Sequence, residues 1–279
     1  MPTTSINHDS EHLSAPLDSA KGQNEIEDAG SPLSTGRLRT FRIIAVVMAA
    51  SAVAFGLFTA VFGIISEAQQ VHALHNAAVA ALLLVLSAPP AIAAARAPER
   101  AARPLLHLVV VGVAGVITMV FGLKIDVFTL PFVVLVAVLL TLRVARGPVL
   151  PAGRPSPALV VLVAIAAVPL IAYALGQAEL QRIDTTSEHA EFNHWVETSF
   201  YALAVVLLGL LAALRPAAYR LSAWCGATAL AVLGAASLLL GSYASALDTP
   251  WAWAALIGGV VFIVVAEWER QRALLRSGR

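Results

Sequence analysis

From Phe41 to Ile65 the chain carries a single charged side chain, Arg42. A helix needs about 20 apolar residues to cross roughly 30 Å of hydrocarbon, so this run can span a bilayer. Seven further segments share its character, at about His75 to Ala95, Leu105 to Leu123, Val127 to Leu142, Ala158 to Leu175, His194 to Leu214, Leu221 to Tyr243 and Trp251 to Glu267. Apolar residues make up 59% of the chain and charged ones 13%, against about half and about a quarter in a soluble domain. That surplus cannot all be buried in one core, so part of it must face lipid, and water-soluble folds are excluded. A membrane β-barrel would alternate polarity over strands of about ten residues, whereas Leu82 to Leu86 and Val133 to Leu140 are apolar at every position. The expected fold is an all-α integral membrane protein with eight transmembrane helices.

Basic residues give the orientation, because they accumulate on the cytoplasmic side. Arg37, Arg39 and Arg42 precede the first run; Arg96, Arg100 and Arg103 separate the second and third; Arg143, Arg146 and Arg154 separate the fourth and fifth. Arg215 and Arg220 lie between the sixth and seventh, and Arg270, Arg272, Arg276 and Arg279 end the chain. With Lys21, sixteen of the eighteen basic residues share one side of an eight-span topology, leaving Lys124 and Arg182 on the other. The expectation is that both termini are cytoplasmic, in a plasma membrane of prokaryotic type. Residues 1–38 are poor in aliphatics and rich in Ser, Asp and Glu; they cannot bury enough apolar surface to offset ordering entropy and read as a disordered cytoplasmic tail.

A shift of 119 positions lays His75 on His194, Arg96 on Arg215, Gly122 on Gly241 and Pro131 on Pro250, and superposes the spans. This predicts an internal repeat: two tandem four-helix units, 39–156 and 157–279, running in the same direction about a pseudo-two-fold axis along the membrane normal. Gly226, Gly234 and Gly241 recur at intervals of eight and seven and are expected on one packing face. Pro89, Pro90 and Pro169 should kink their helices.

Chemistry gathers at the outer boundary. His72 and His75 precede the second run and His189 and His194 the sixth, among Glu67, Asp126, Glu179, Asp184, Glu188, Glu191, Glu197 and Asp248. His72 and His75 are three apart, as are Glu191 and His194, and residues at i and i+3 share a helix face. The 119 shift pairs His72 with Glu191 and His75 with His194. His72, His75, Glu191, His194 and Glu197, with Glu188 and His189 as secondary candidates, therefore form a donor set for a divalent transition metal such as zinc, iron, manganese or copper, or for haem. Ligation needs neutral imidazole, so affinity should fall below roughly pH 6. Glu197 lies a turn deeper than His194, with Tyr201 a turn below it, and an ionisable group at that depth is a functional candidate.

Solvated boundary residues explain the same pattern. Carboxylates favour a helix N-terminus, Thr185 and Glu188 have capping-box spacing, and the helix dipole there disfavours a cation. Trp195, Trp251 and Trp253 read as interfacial belt aromatics, and His107 as an interfacial residue at the cytoplasmic end. The chain contains one cysteine, Cys225, which excludes an intrachain disulfide and a thiolate cluster. There is no Walker A sequence and no GxGxxG, and the arginines are spread as topology requires, so no nucleic-acid partner is expected. The expected partners are the lipid bilayer and a small-molecule or ion ligand at the outer face. Three functions stand at this point: a metal or haem enzyme or redox protein, an ion- or proton-coupled transporter or sensor, and a scaffold without a site.

Overall fold

Seven of the eight apolar runs form helices long and apolar enough to cross a membrane, and one does not. The computed structural model describes residues 34–65, 72–126, 129–142, 144–145, 154–184, 186–214, 218–243 and 245–277, and no strand occurs among them. In chain order the helices are α1 (Thr35–Ile65), α2 (Ala73–Arg96), α3 (Ala102–Gly122), α4 (Thr129–Thr141), α5 (Pro157–Ile183), α6 (Glu188–Glu191), α7 (His194–Leu214), α8 (Arg220–Leu239) and α9 (Thr249–Ser277). Helix α1 begins at Thr35, so residues 35–38 belong to it rather than to the expected tail, whose residues 1–33 lie outside the described residues.

The exception is α4. At 13 residues it rises only about 20 Å, short of the hydrocarbon thickness. Its start is fixed by Asp126, whose Oδ2 accepts the Thr129 amide at 2.6 Å. An N-cap of this kind satisfies a backbone donor that the helix cannot pair internally.

Helix α7 is central: 83% of its apolar stretch is buried, against 22% for α5 and 28% for α1 and α9. The outer helices instead expose Phe58, Ile165, Val168 and Val264, the aliphatic and aromatic surface expected of a chain solvated by lipid tails. Within the core, Tyr201 is fully buried and its hydroxyl donates to the Ala229 carbonyl at 2.5 Å, joining α7 to α8. Ser199 likewise joins α7 to α5 through the Ala174 carbonyl at 2.8 Å.

The glycines of α8 do not share one face. A Cβ on Gly226 would meet Leu208 of α7, while one on Gly234 would meet the backbone of α9 at Ala252 and Leu256. Eight residues at 3.6 per turn leave a large angular offset, and Gly241 lies beyond the end of α8.

Helix α2 contains a π-helical segment, Leu82–Ser87, just ahead of Pro89 and Pro90. Proline lacks the N–H that would pair with the carbonyl four residues earlier, so Pro90 leaves Leu86 without that partner. His107, expected at an interface, is instead buried and supplies it: Nε2 donates to the Leu86 carbonyl at 2.8 Å, and Nδ1 accepts from the Ser222 hydroxyl at 3.0 Å. The histidine thereby ties α3 to both α2 and α8.

Candidate functional site

Helices α2 and α7 begin next to each other, and the turn holding α6 folds over the same end. That turn is built by Asp184. Its carboxylate accepts the Ser187 amide at 3.0 Å, the Thr186 amide at 3.3 Å and the Trp195 indole N–H at 3.3 Å, and it bonds the Ser187 hydroxyl. The Ser187 hydroxyl first, and then these N–H donors, hold its carboxyl below the ordinary aspartate value. Such a shift steadies the turn at neutral pH, and the contribution is lost as pH falls through the carboxylate range. Ser187 caps α6 by accepting the Ala190 amide at 3.2 Å, the role that sequence spacing assigned to Thr185, which lies outside the described residues. Gln181 of α5 donates to the Ala190 carbonyl at 2.8 Å and holds α6 down.

The result is a cluster of four imidazoles. Ring centroids lie 4.5 Å apart for His72 and His189, 4.7 Å for His72 and His194, 4.9 Å for His75 and His189, and 5.1 Å for His75 and His194. His72 and His75 are buried, and His189 is partly so. One ring nitrogen from each of His72, His75 and His189 lies within 4.8 Å of the others, so this triad could hold a metal. The centre of such a group is at most about 2.8 Å from each nitrogen, so side-chain shifts of about 0.7 Å reach the 2.0 to 2.1 Å of a zinc–imidazole bond.

Hydrogen bonds fix the tautomers of two of the rings. The Ser245 hydroxyl donates its one proton to Gln177 Oε1 at 2.6 Å, so it accepts from His75 Nε2–H at 3.0 Å. A neutral imidazole protonated on Nε2 keeps a lone pair on Nδ1, and His75 Nδ1 is buried with no hydrogen-bond partner among the described residues. His72 repeats the pattern: Nε2 faces Glu188 Oε2 at 3.4 Å, and buried Nδ1 has no partner among the described residues. Ser245 is itself held in place, since Tyr173 donates to its carbonyl at 2.8 Å. Outer partners that set tautomer and orientation in this way are characteristic of metal-binding histidines. Ser245, Gln177 and Tyr173 escaped the sequence reading because they lie far from His75 along the chain and carry no motif.

His194 stands beside the triad with Nδ1 at 3.0 Å from Glu197 Oε2, and Glu197 is buried at 7% exposure. Glu188 reaches His72 from an exposed position. Glu191 is exposed at the last position of α6 and lies outside the three-histidine group. Its expected i, i+3 relation to His194 fails because α6 ends before α7 begins, with Asn193 between them in the left-handed region at φ 63. Trp195, expected in an aromatic belt, is buried at 7% exposure and stacks on His189 at 4.9 Å, forming a wall of the cluster. Trp251 and Trp253 are exposed. No protein family, curated protein or solved structure matches this chain.

Proposed function

We propose that this multi-pass helical protein is a membrane metalloprotein in which His72, His75 and His189 hold a divalent transition-metal ion. In this reading His194 and Glu197 handle protons beside the ion, and the site performs an enzymatic or redox step on a small or lipid-borne substrate. The observation that carries the reading is the convergence of three imidazoles whose nitrogens lie within 4.8 Å, two of them with a bare, buried Nδ1. A buried polar atom without a partner is costly, and a metal ion ligated through Nδ1 would satisfy it on either ring. Three neutral histidines leave a position open for water or substrate, the arrangement of catalytic rather than structural zinc. Haem is the weaker form of the idea, because rings packed at 4.5 to 5.8 Å leave no slot for a macrocycle among them.

The test is metal analysis of protein carrying no histidine tag, after exposure to zinc, copper, iron or manganese and exhaustive dialysis. One ion per chain without a Soret band is expected; no stoichiometric retention of any of the four would sink the metal reading. One observation favours transport instead: α2 is interrupted by its π-helical segment and Pro89 and Pro90, and broken helices mark substrate sites in transporters. Ion- or proton-dependent flux in liposomes by metal-free protein would select that reading.

For topology we propose eight spans with α4 as the fourth, accommodated by local bilayer thinning. Both termini are then cytoplasmic, the histidine cluster faces outward, and the two four-helix units are repeats. Helix bounds support the repeat: moved by 119 positions, Ala73–Arg96 falls on 192–215, where α7 occupies His194–Leu214, and Ala102–Gly122 falls on 221–241, where α8 occupies Arg220–Leu239. In intact cells, an impermeant thiol reagent should modify a cysteine placed at Thr186 and spare ones placed at Arg100 and Ala218. Modification at 218 from outside would remove α4 from the count of spans.

A further inference from the structure

A second site adjoins the imidazole cluster on its His194 side, where α1, α2, α4 and α7 enclose a cavity of about 250 Å³. Its walls are aromatic, with Phe58, Phe132 and Phe200 among them, and its polar lining includes Asn76, Asp126 and Glu197. Asp126 is buried at 2% exposure. Its Oδ2 is committed to the Thr129 amide, whereas Oδ1 is buried with no hydrogen-bond partner among the described residues. Neither Lys nor Arg lines the cavity, and its one imidazole, His194, is already bonded to Glu197. The Asp126 carboxylate, with Glu197 beside it already bonded to His194, therefore faces an apolar chamber without a matching cation, in a region where an unpaired ionisable group marks function.

We propose that this cavity binds an amphiphilic organic ammonium, a primary amine carrying an aromatic or short aliphatic body. An ammonium brings both missing elements, a positive charge and an N–H donor for Asp126 Oδ1. Phenylalanine faces attract a cation that has shed its water, and the apolar body replaces water against the remaining wall. Asn76 Nδ2, buried without an acceptor among the described residues, offers a donor to an oxygen on the same ligand. Phe58 is 61% exposed, so the chamber's rim lies on the lipid-facing surface and the ligand enters laterally. The inference does not rest on the metal reading, because every group it uses is present in metal-free protein.

The experiment is calorimetric titration of the full chain in phosphatidylcholine nanodiscs containing EDTA. The probes are 2-phenylethylamine and its neutral counterpart of the same shape, 2-phenylethanol. Saturable amine binding at least about 10-fold tighter than the alcohol is expected, the worth of one charge-assisted hydrogen bond. Asp126→Asn keeps the helix cap and should erase the preference by weakening the amine alone. Phe58→Ala, at an exposed position, should weaken the amine several-fold and serves should the Asp126 variant not fold. Equal affinity for the two probes, no saturable amine binding, or amine affinity unchanged in either variant would overturn the proposal. Metal retention by the histidines is measured separately, so either reading can fail alone.

Discussion

Replacing His75 by Ala is expected to lower metal affinity by more than about 100-fold. Removing a mere outer partner of a metal-bound histidine costs about 10- to 100-fold, and His75 is proposed as a ligand. Its burial lets nothing from solvent take its place. Ser245→Ala should fall within the 10- to 100-fold range, since it removes the acceptor that holds His75 as the Nε2–H tautomer. Glu191→Ala should leave affinity unchanged, because that carboxylate is exposed outside the triad. Competition against a chromophoric chelator measures all three, with thermal unfolding of the metal-free variants as a control for folding. Full retention of affinity in the His75 variant would show that the metal binds elsewhere or not at all. A Ser245 variant equal to wild type would leave the hydrogen bond without a role in ligation.

The gradation also marks how much of the site was legible in the sequence. The approach of His75 and His194 could be read, because a constant shift of 119 pairs them at the starts of two apolar runs, and their rings lie 5.1 Å apart. Promotion of His189 over Glu191 could not be read. It depends on Asn193 breaking the helix at φ 63, a local backbone choice that turns the i, i+3 argument into one about two separate helices. Trp195 was misread for a related reason: a run apolar all round does not show which face meets the bundle, so a boundary tryptophan and a cluster wall look alike. The spans were legible because about 20 uncharged apolar residues have few alternatives to a membrane helix. The shortness of α4 was legible as well, since Val127 to Leu142 is the shortest of the eight apolar runs.

The largest expected effect on stability comes from a site with no polar chemistry. A Cβ on Gly234 of α8 would stand 2.5 Å from the Ala252 carbonyl oxygen and the Leu256 nitrogen of α9, and one on Gly259 of α9 would stand 2.5 Å from the Ala227 carbonyl oxygen of α8. The relation is reciprocal, as 234 and 227 lie two turns apart on one helix, and 259 and 252 two turns apart on the other. The obstructing atoms are backbone, so no rotamer change relieves the clash and the helices must separate. At Gly56 the nearest atoms belong to the Leu84 side chain instead, which can turn aside. Without a hydrophobic driving force between helices in lipid, close packing is what holds such a pair together. Gly234→Ala and Gly259→Ala should each destabilise by about 1 to 3 kcal/mol or more, the cost of overpacking. Gly176→Ala, with nothing within 4 Å of the new methyl group, should be neutral or stabilising by up to about 1 kcal/mol, as alanine is the better helix former. The double variant should cost less than the sum, because separation caused by the first methyl makes room for the second. Cys225, the chain's single cysteine and buried on α8, reports the opening: a thiol-reactive fluorophore followed during heating should label it at lower temperature in the Gly234 and Gly259 variants. Labelling of the Gly234 variant at the same temperature as the Gly176 variant would mean that α8 and α9 do not meet backbone to backbone.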